Sequence, residues 1–503
     1  MTLKKQKSFS TLDQQTSQER RKVGKTLSSP NLKLDAKELG DELPSKHQQQ
    51  NGSIQRKKSE SGNQSPTARS PRDKKMEQKT ERKHYLFNKL KKVHTDQPSF
   101  LSSSSGFDNY RGIINLCLLL LILSNFRLAV DNILKYGILV DPKFVLVAME
   151  DPYNWPCTTL FLCSNVFIQI CFSIEKALSE EKLSERFGLI LNIFNLAMMI
   201  LVPIVVVLVF IPLPWFATMT LCFYTGLFLK FVSYVSVNKW CREEKSGKRP
   251  KDPELKPTGP VLYPKNLNQQ DLYYFVCAPT FCYELNFPRT KKIRKSFLIR
   301  RIAEGVFLSG LIIALAQQWV VPTVKNSMKS FQEMDFPRFF ERMMKLAVPN
   351  HVIWLIFFYT YFHSILNILA EVLHFGDRVF YKDWWNSPNI TYFWQNWNIP
   401  IHRWAKRHVY EPMLRNNYSK IQASLSVFFI SAFFHEYVVS VPLRMLKPYA
   451  FLAMLMQVPL AIMTSFMKNP WGNFVVWLSL IIGQPLAIMM YYHDYLVEHH
   501  NLI

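Results

Sequence analysis

A histidine and a glutamate, His435 and Glu436, stand side by side inside residues 424–443, SLSVFFISAFFHEYVVSVPL. The stretch has the apolarity and length of a bilayer-crossing helix, which needs about 20 residues. An ionisable group at that depth costs roughly 2.5–3.5 kcal/mol on insertion scales, so it marks either chemistry or a polar contact between packed helices. On a helix, Ser431 precedes His435 by one turn and shares its face, where a hydroxyl can orient the ring or border the same cavity. Glu436 lies about 100° further round and points to a different neighbour, which it can orient. No Ser-His-Asp or Cys-His nucleophile arrangement accompanies the histidine. A base without a nucleophile suits direct transfer: it takes the proton of an acceptor hydroxyl, which attacks an activated acyl group.

Acyl transfer also needs donors for the developing negative charge. Asn398, in WQNWNIP just before Pro400, is one candidate, although that setting also fits a turn or a helix end. Gln457, three residues after Met454, and Gln484, in IIGQP, are two more. Gly483 and Pro485 predict a local break around Gln484. Amides in such spans also serve simply to join helices. A phosphate-bearing acyl donor would be met by Arg403, Arg407, Arg415 and Lys420, with His402 and Tyr410 beside them. A solvated cationic loop has the same composition.

The elements that must hold these residues follow from hydropathy. The chain has 503 residues, 48% of them hydrophobic and 14% aromatic. Its mean hydropathy of -0.02 averages two unlike parts. Residues 1–98 carry 23 Lys/Arg against 11 Asp/Glu and are rich in Ser, Gln and Pro, which predicts a disordered basic tail. Residues 99–503 form the membrane domain. Apolar runs place nine transmembrane helices near 112–130, 157–174, 187–211, 214–237, 297–321, 347–370, 423–441, 449–467 and 474–492. The architecture is therefore an all-α polytopic membrane protein. Positive charge in 238–296 and 371–422 puts those segments and the tail on the cytosolic side. The second segment interleaves five tryptophans with basic residues and reads as interfacial helices. Beside membrane spans, the charge of +24 points to anionic lipid and topology, not to nucleic acid. The eight cysteines contain no CxxC pair and suggest neither a disulfide framework nor a metal site.

Several motifs together carry a resemblance. FYKDWWN, residues 380–386, resembles the FYxDWWN signature of sterol and diacylglycerol acyltransferases in the membrane-bound O-acyltransferase superfamily. The signature residues here are Phe380, Tyr381, Asp383, Trp384, Trp385 and Asn386. His435 matches the superfamily's histidine and Asn398 its upstream polar position. APTFCYELNFPR (278–289), TYFWQNWNIPIHRWAKRHVYEPML (391–414), SAFFHEYVVSVPLR (431–444) and WLSLIIGQP (477–485) resemble the diacylglycerol branch. The resemblance implies a multi-pass endoplasmic-reticulum enzyme with a cytosolic N-terminus, a homodimer or homotetramer, making triacylglycerol from acyl-CoA and diacylglycerol. It implies no metal and no cofactor, since acyl-CoA is a substrate. Carried over by motif, Trp397, His402, Tyr410, Lys420 and Ser431 would bind acyl-CoA, and Met454 and Gln457 the acceptor. His435 and Asn398 would be catalytic, with Glu436 and Gln484 supporting the reaction centre.

Two other readings stand beside this one. A sterol O-acyltransferase shares FYxDWWN, but the WQNWNIP and ELNFP wording differs from that branch. A proton-coupled transporter could use His435 and Glu436 as a relay, but such proteins often show internal repeats, and none is evident here.

Overall fold

A computed structural model describes residues 72, 75, 76, 78–81, 111–210, 212–247, 260–324, 336–445 and 447–500. The chain divides into units 1–108 and 109–503. In the first, the described residues are helical and exposed, and Thr80 donates its hydroxyl to the Met76 carbonyl. Most of the predicted tail lies outside the described residues.

The second unit is helical. Its elements are α1 (Arg111–Tyr136), α2 (Phe144–Glu150), α3 (Trp155–Ser179), α4 (Glu185–Phe210), α5 (Pro214–Lys245), α6 (Gln269–Cys277) and α7 (Lys295–Leu315). There follow α8 (Phe336–Phe358), α9 (Leu366–Val372), α10 (Ile390–Asn396), α11 (Ile399–Ala405), α12 (Glu411–Arg415) and α13 (Lys420–Leu443). The last are α14 (Tyr449–Leu455), α15 (Gln457–Ser465) and α16 (Trp471–His500). Among the described residues, 7 helical stretches are long and apolar enough to cross a membrane. They correspond to seven of the predicted spans. The predicted span 297–321 is a helix whose first half carries Arg300, Arg301 and Glu304, and which widens into a π turn at Ala316–Val320. The predicted span 449–467 is two short helices that meet at Met456.

Large side chains exposed along α1 and α4 are those of lipid-facing helices, whereas α5 is the most enclosed of the spanning helices. Tyr224, Phe231 and Tyr234 on α5 are completely buried, packed with Phe275 and Tyr283. Lys230, on the same helix, donates to the carbonyls of Phe275, Ala278 and Thr280 at 2.9, 2.7 and 2.7 Å. One ammonium thereby satisfies three acceptors where α6 ends. A second buried ionic joint closes the loop after α9. Glu371 accepts from the backbone and guanidinium of Arg294, the latter at 2.9 Å, and from Arg378. Beside it, Gly376 donates its N–H to the Pro288 carbonyl, and a Cβ on Gly376 would sit 2.9 Å from that oxygen. Only glycine fits so close an approach.

The tryptophan-rich segment forms the short helices α10, α11 and α12, with a π turn at Lys406–Tyr410. Its tryptophans are not all an interfacial belt. Trp384 and Trp404 are buried, and Trp404 donates its indole N–H to the Leu229 carbonyl at 2.8 Å. A deep rigid ring with its one donor satisfied serves as a packing anchor.

Candidate active site

The site is built on α13. Ser419 starts this helix with a reciprocal capping box through Gln422, so its first turn, including Lys420, is firmly set. His435 follows about 22 Å further along the axis, at 1.5 Å per residue. Its Nδ1 lies 2.7 Å from the carbonyl oxygen of Ser431, with the Ser431 hydroxyl at 3.5 Å. A carbonyl only accepts, so Nδ1 carries a proton, and in the neutral form of the ring Nε2 keeps its lone pair. The ring is exposed on α13.

Glu436 turns away from His435. Its Oε2 accepts from the Phe451 backbone N–H at 2.7 Å, and its Oε1 from the Tyr491 hydroxyl at 2.9 Å and from Ser440. The carboxylate thus ties α13 to the start of α14 and to α16. Through α14 it sets the position of Met454, which is buried, and of Gln457, the first residue of α15.

Asn398 caps the N-terminus of α11, its Oδ1 accepting from the Ile401 N–H at 3.2 Å. It is not hydrogen-bonded to His435, and among the described residues no acceptor engages its amide nitrogen. Trp397 stacks on Phe393 with 6.1 Å between ring centroids and faces Trp354 at 6.4 Å. His402 lies half-buried one turn on. Burial, then repulsion from Lys406, Arg403 and Lys382, holds its imidazolium below the usual histidine range, so the ring is neutral at neutral pH. Arg403 pairs with Asp377, and Arg407 donates to the Tyr283 carbonyl at 3.1 Å. Tyr410 ends the π turn that packs against α13.

The FYKDWWN stretch is largely a packing device. Phe380 and Trp384 are buried, and Trp384 stands edge-on to Trp354 and Phe358 at 5.3 and 4.9 Å. The Tyr381 hydroxyl pairs with His363 Nδ1 at 2.9 Å. Asp383 accepts from the Tyr392 hydroxyl at 2.8 Å, a bond that holds its carboxyl below the usual range. Asn386 is exposed. The Trp385 and Ser387 carbonyls accept from Asn473 at 3.1 and 2.9 Å, docking the motif on α16.

Gln484 sits within an unbroken α16, so the predicted break at Gly483 and Pro485 does not occur. Proline is tolerated in spanning helices where neighbours re-satisfy the freed carbonyl. The Gln484 Oε1 accepts from Asn350 Nδ2 at 3.0 Å. Asn350 and its neighbour His351, on α8, were not singled out by sequence. Their one signal was polarity inside the apolar run that follows Pro349. Among the described residues, no group of three or more His, Cys, Asp or Glu could hold a metal ion, and all eight cysteines are free.

The site is thus a histidine exposed on a spanning helix within an apolar helical bundle. The profile of the membrane-bound O-acyltransferase family matches residues 153–493, and the chain belongs to that family. It is 53% identical over 414 residues to diacylglycerol O-acyltransferase 1 of Homo sapiens, covering 81% of this chain and 84% of the relative. The protein of that name from Dictyostelium discoideum is 38% identical over 408 residues, 81% of this chain and 66% of the relative. That from Corylus americana is 36% identical over 401 residues, 78% and 74% of the two chains.

Proposed function

We propose that this chain transfers an acyl group from acyl-CoA to the free hydroxyl of diacylglycerol, with His435 as general base. It is an O-acyltransferase of the diacylglycerol type, as its relatives over most of its length are. The observation that carries the mechanism is the orientation of His435: Nδ1–H is committed to Ser431, and Nε2 is left to accept a proton. Nε2 takes the acceptor's proton as the hydroxyl oxygen forms its bond to the thioester carbon. The C–S bond then breaks, and the CoA thiolate takes that proton from the imidazolium, restoring the neutral ring. The free amide N–H groups of Asn398 and Gln484 are suited to the carbonyl oxygen as charge gathers on it. A dry site limits competing hydrolysis of the thioester.

In this reading Trp397, His402, Tyr410, Lys420 and Ser431 line the acyl-CoA path, and Met454 and Gln457 face the acceptor. The positively charged segments and the N-terminus lie on the cytosolic face of the endoplasmic reticulum, and the enzyme works as a homo-oligomer without a cofactor. The test is acyl transfer from labelled oleoyl-CoA by purified protein, offered diacylglycerol or cholesterol. Triacylglycerol formed by wild type and lost in a folded His435→Ala variant supports the reading. Cholesteryl ester as the main product overturns the acceptor, and full activity of the variant overturns the base.

A further inference from the structure

Gln484 and Asn350 meet amide to amide across α16 and α8, and the direction of that contact matters. Asn350 Nδ2 donates to Gln484 Oε1 at 3.0 Å. With Oε1 engaged, the Gln484 NH2 group is the part left to meet another partner. An unrestrained glutamine can turn its amide over and present an acceptor instead of a donor. A donor is what a developing oxyanion requires; a carbonyl oxygen in its place would repel it.

The surroundings give Asn350 a defined position. It follows Pro349 in α8 and precedes His351, whose ring stacks on Trp354 at 5.4 Å and meets Trp477 of α16 edge-on at 5.6 Å. Trp354 also faces Trp397, the neighbour of Asn398. The polar pair Asn350–Gln484 is thereby joined to the aromatic wall that carries the other candidate amide. Both ring nitrogens of His351 are buried without a hydrogen-bond partner among the described residues, so the polar character of this turn is not used up by the packing.

We infer that Asn350 is a positioning residue for acyl transfer, fixing the Gln484 side chain with its NH2 group toward the reacting carbonyl. This rests on the reading of Gln484 as a donor at the reaction centre. Asn350 acts through Gln484, so its removal lowers kcat and leaves the binding of acyl-CoA nearly untouched.

A double-mutant cycle on the full-length detergent-solubilised enzyme tests this, with kcat, KM for oleoyl-CoA and thermal unfolding measured for Asn350→Leu, Gln484→Leu and the double variant. Leucine keeps the branching of asparagine at Cγ and removes its donor. Gln484→Leu should lower kcat by about 100-fold, the scale of losing one oxyanion donor. Asn350→Leu alone should lower kcat about tenfold or more, with KM for oleoyl-CoA changed less than about twofold. In the Gln484→Leu background the same substitution should have no further effect, because the group it orients is gone. An equal fall in kcat in both backgrounds, or full activity of Asn350→Leu, overturns the inference. Unchanged kcat in Gln484→Leu would instead remove Gln484 from the site, a separate failure. Should Asn350→Leu unfold, Asn350→Ser, which retains a donor, replaces it with a partial loss expected in wild type and none in Gln484→Leu.

Discussion

The carbonyl oxygen of Ser431 lies 2.7 Å from His435 Nδ1, so the backbone of α13 itself selects the tautomer of the candidate base. His435→Ala removes the base while leaving that carbonyl in an intact helix. A positioned general base contributes roughly 10²- to 10⁴-fold. The expected result is a fall of that size in kcat with an unchanged melting temperature, checked by acyl-transfer assay and thermal unfolding in the same detergent.

Glu436 makes a different prediction from its neighbour. Its two oxygens receive Tyr491, Ser440 and the Phe451 N–H. Glu436→Ala leaves these donors without their acceptor, at about 1–3 kcal/mol each for those that stay buried. The variant should lose thermal stability sharply, and Tyr491→Phe should lose a smaller part of it. His435→Ala, in contrast, should lose activity at full stability.

The pH dependence of acyl-CoA use should carry the mark of His402. Its pKa lies below the ordinary histidine value because of burial and three nearby cations, so the folded state binds fewer protons than the unfolded one just below that value. Stability from this group is therefore present above the ordinary pKa and is lost as pH falls through the depressed one. For function, the ratio of kcat/KM for wild type and His402→Gln should be flat from pH 7 to about 8. It should change only below about 6.5, where the imidazole begins to protonate. A ratio that titrates above pH 7 would show that the ring is not held neutral.

Lys230→Met tests the joint between α5 and the end of α6. Methionine fills the volume but leaves the carbonyls of Phe275, Ala278 and Thr280 without their shared donor. Leaving a buried acceptor without its donor costs about 1–3 kcal/mol for each that stays out of water. The yield of monodisperse protein on size exclusion should fall accordingly.

The spanning helices and the histidine were legible in the sequence for the same reason: both are local signals. Apolar runs reveal α3, α4, α5, α8, α13 and α16 without any partner, and His435 stands out against its own helix. Partnerships across the fold were not legible. Asn350 and Gln484 are 134 positions apart, and Arg294 and Glu371 are 77 apart, with no spacing rule to join them. Proline and glycine misled in one place, since α16 runs straight through Gly483 and Pro485, while the division at Met456 falls where Pro459, third in α15, offers no N–H to the Leu455 carbonyl four residues back. Contacts outside the pair hold its two far ends: Glu436 and Tyr491 hold the start of α14, and Thr464 near the end of α15 receives the Ile390 N–H at 3.2 Å.

The division at Met456 also bears on the shape of the surrounding lipid. Tyr449–Ser465 is the short apolar stretch among the spanning helices. At 1.5 Å per residue it reaches at most about 25 Å end to end, against a hydrocarbon core of about 30 Å. Lys447 precedes it and Lys468 follows it, two long side chains able to reach up to the headgroups. The deficit is met by thinner lipid, by those lysines or by both. Where the lipid thins to meet it, the headgroup layer beside Met454 and Gln457 stands closer to the bilayer midplane. A lipid with a single small hydroxyl head would have a shorter vertical distance to cover there than at any of the longer helices.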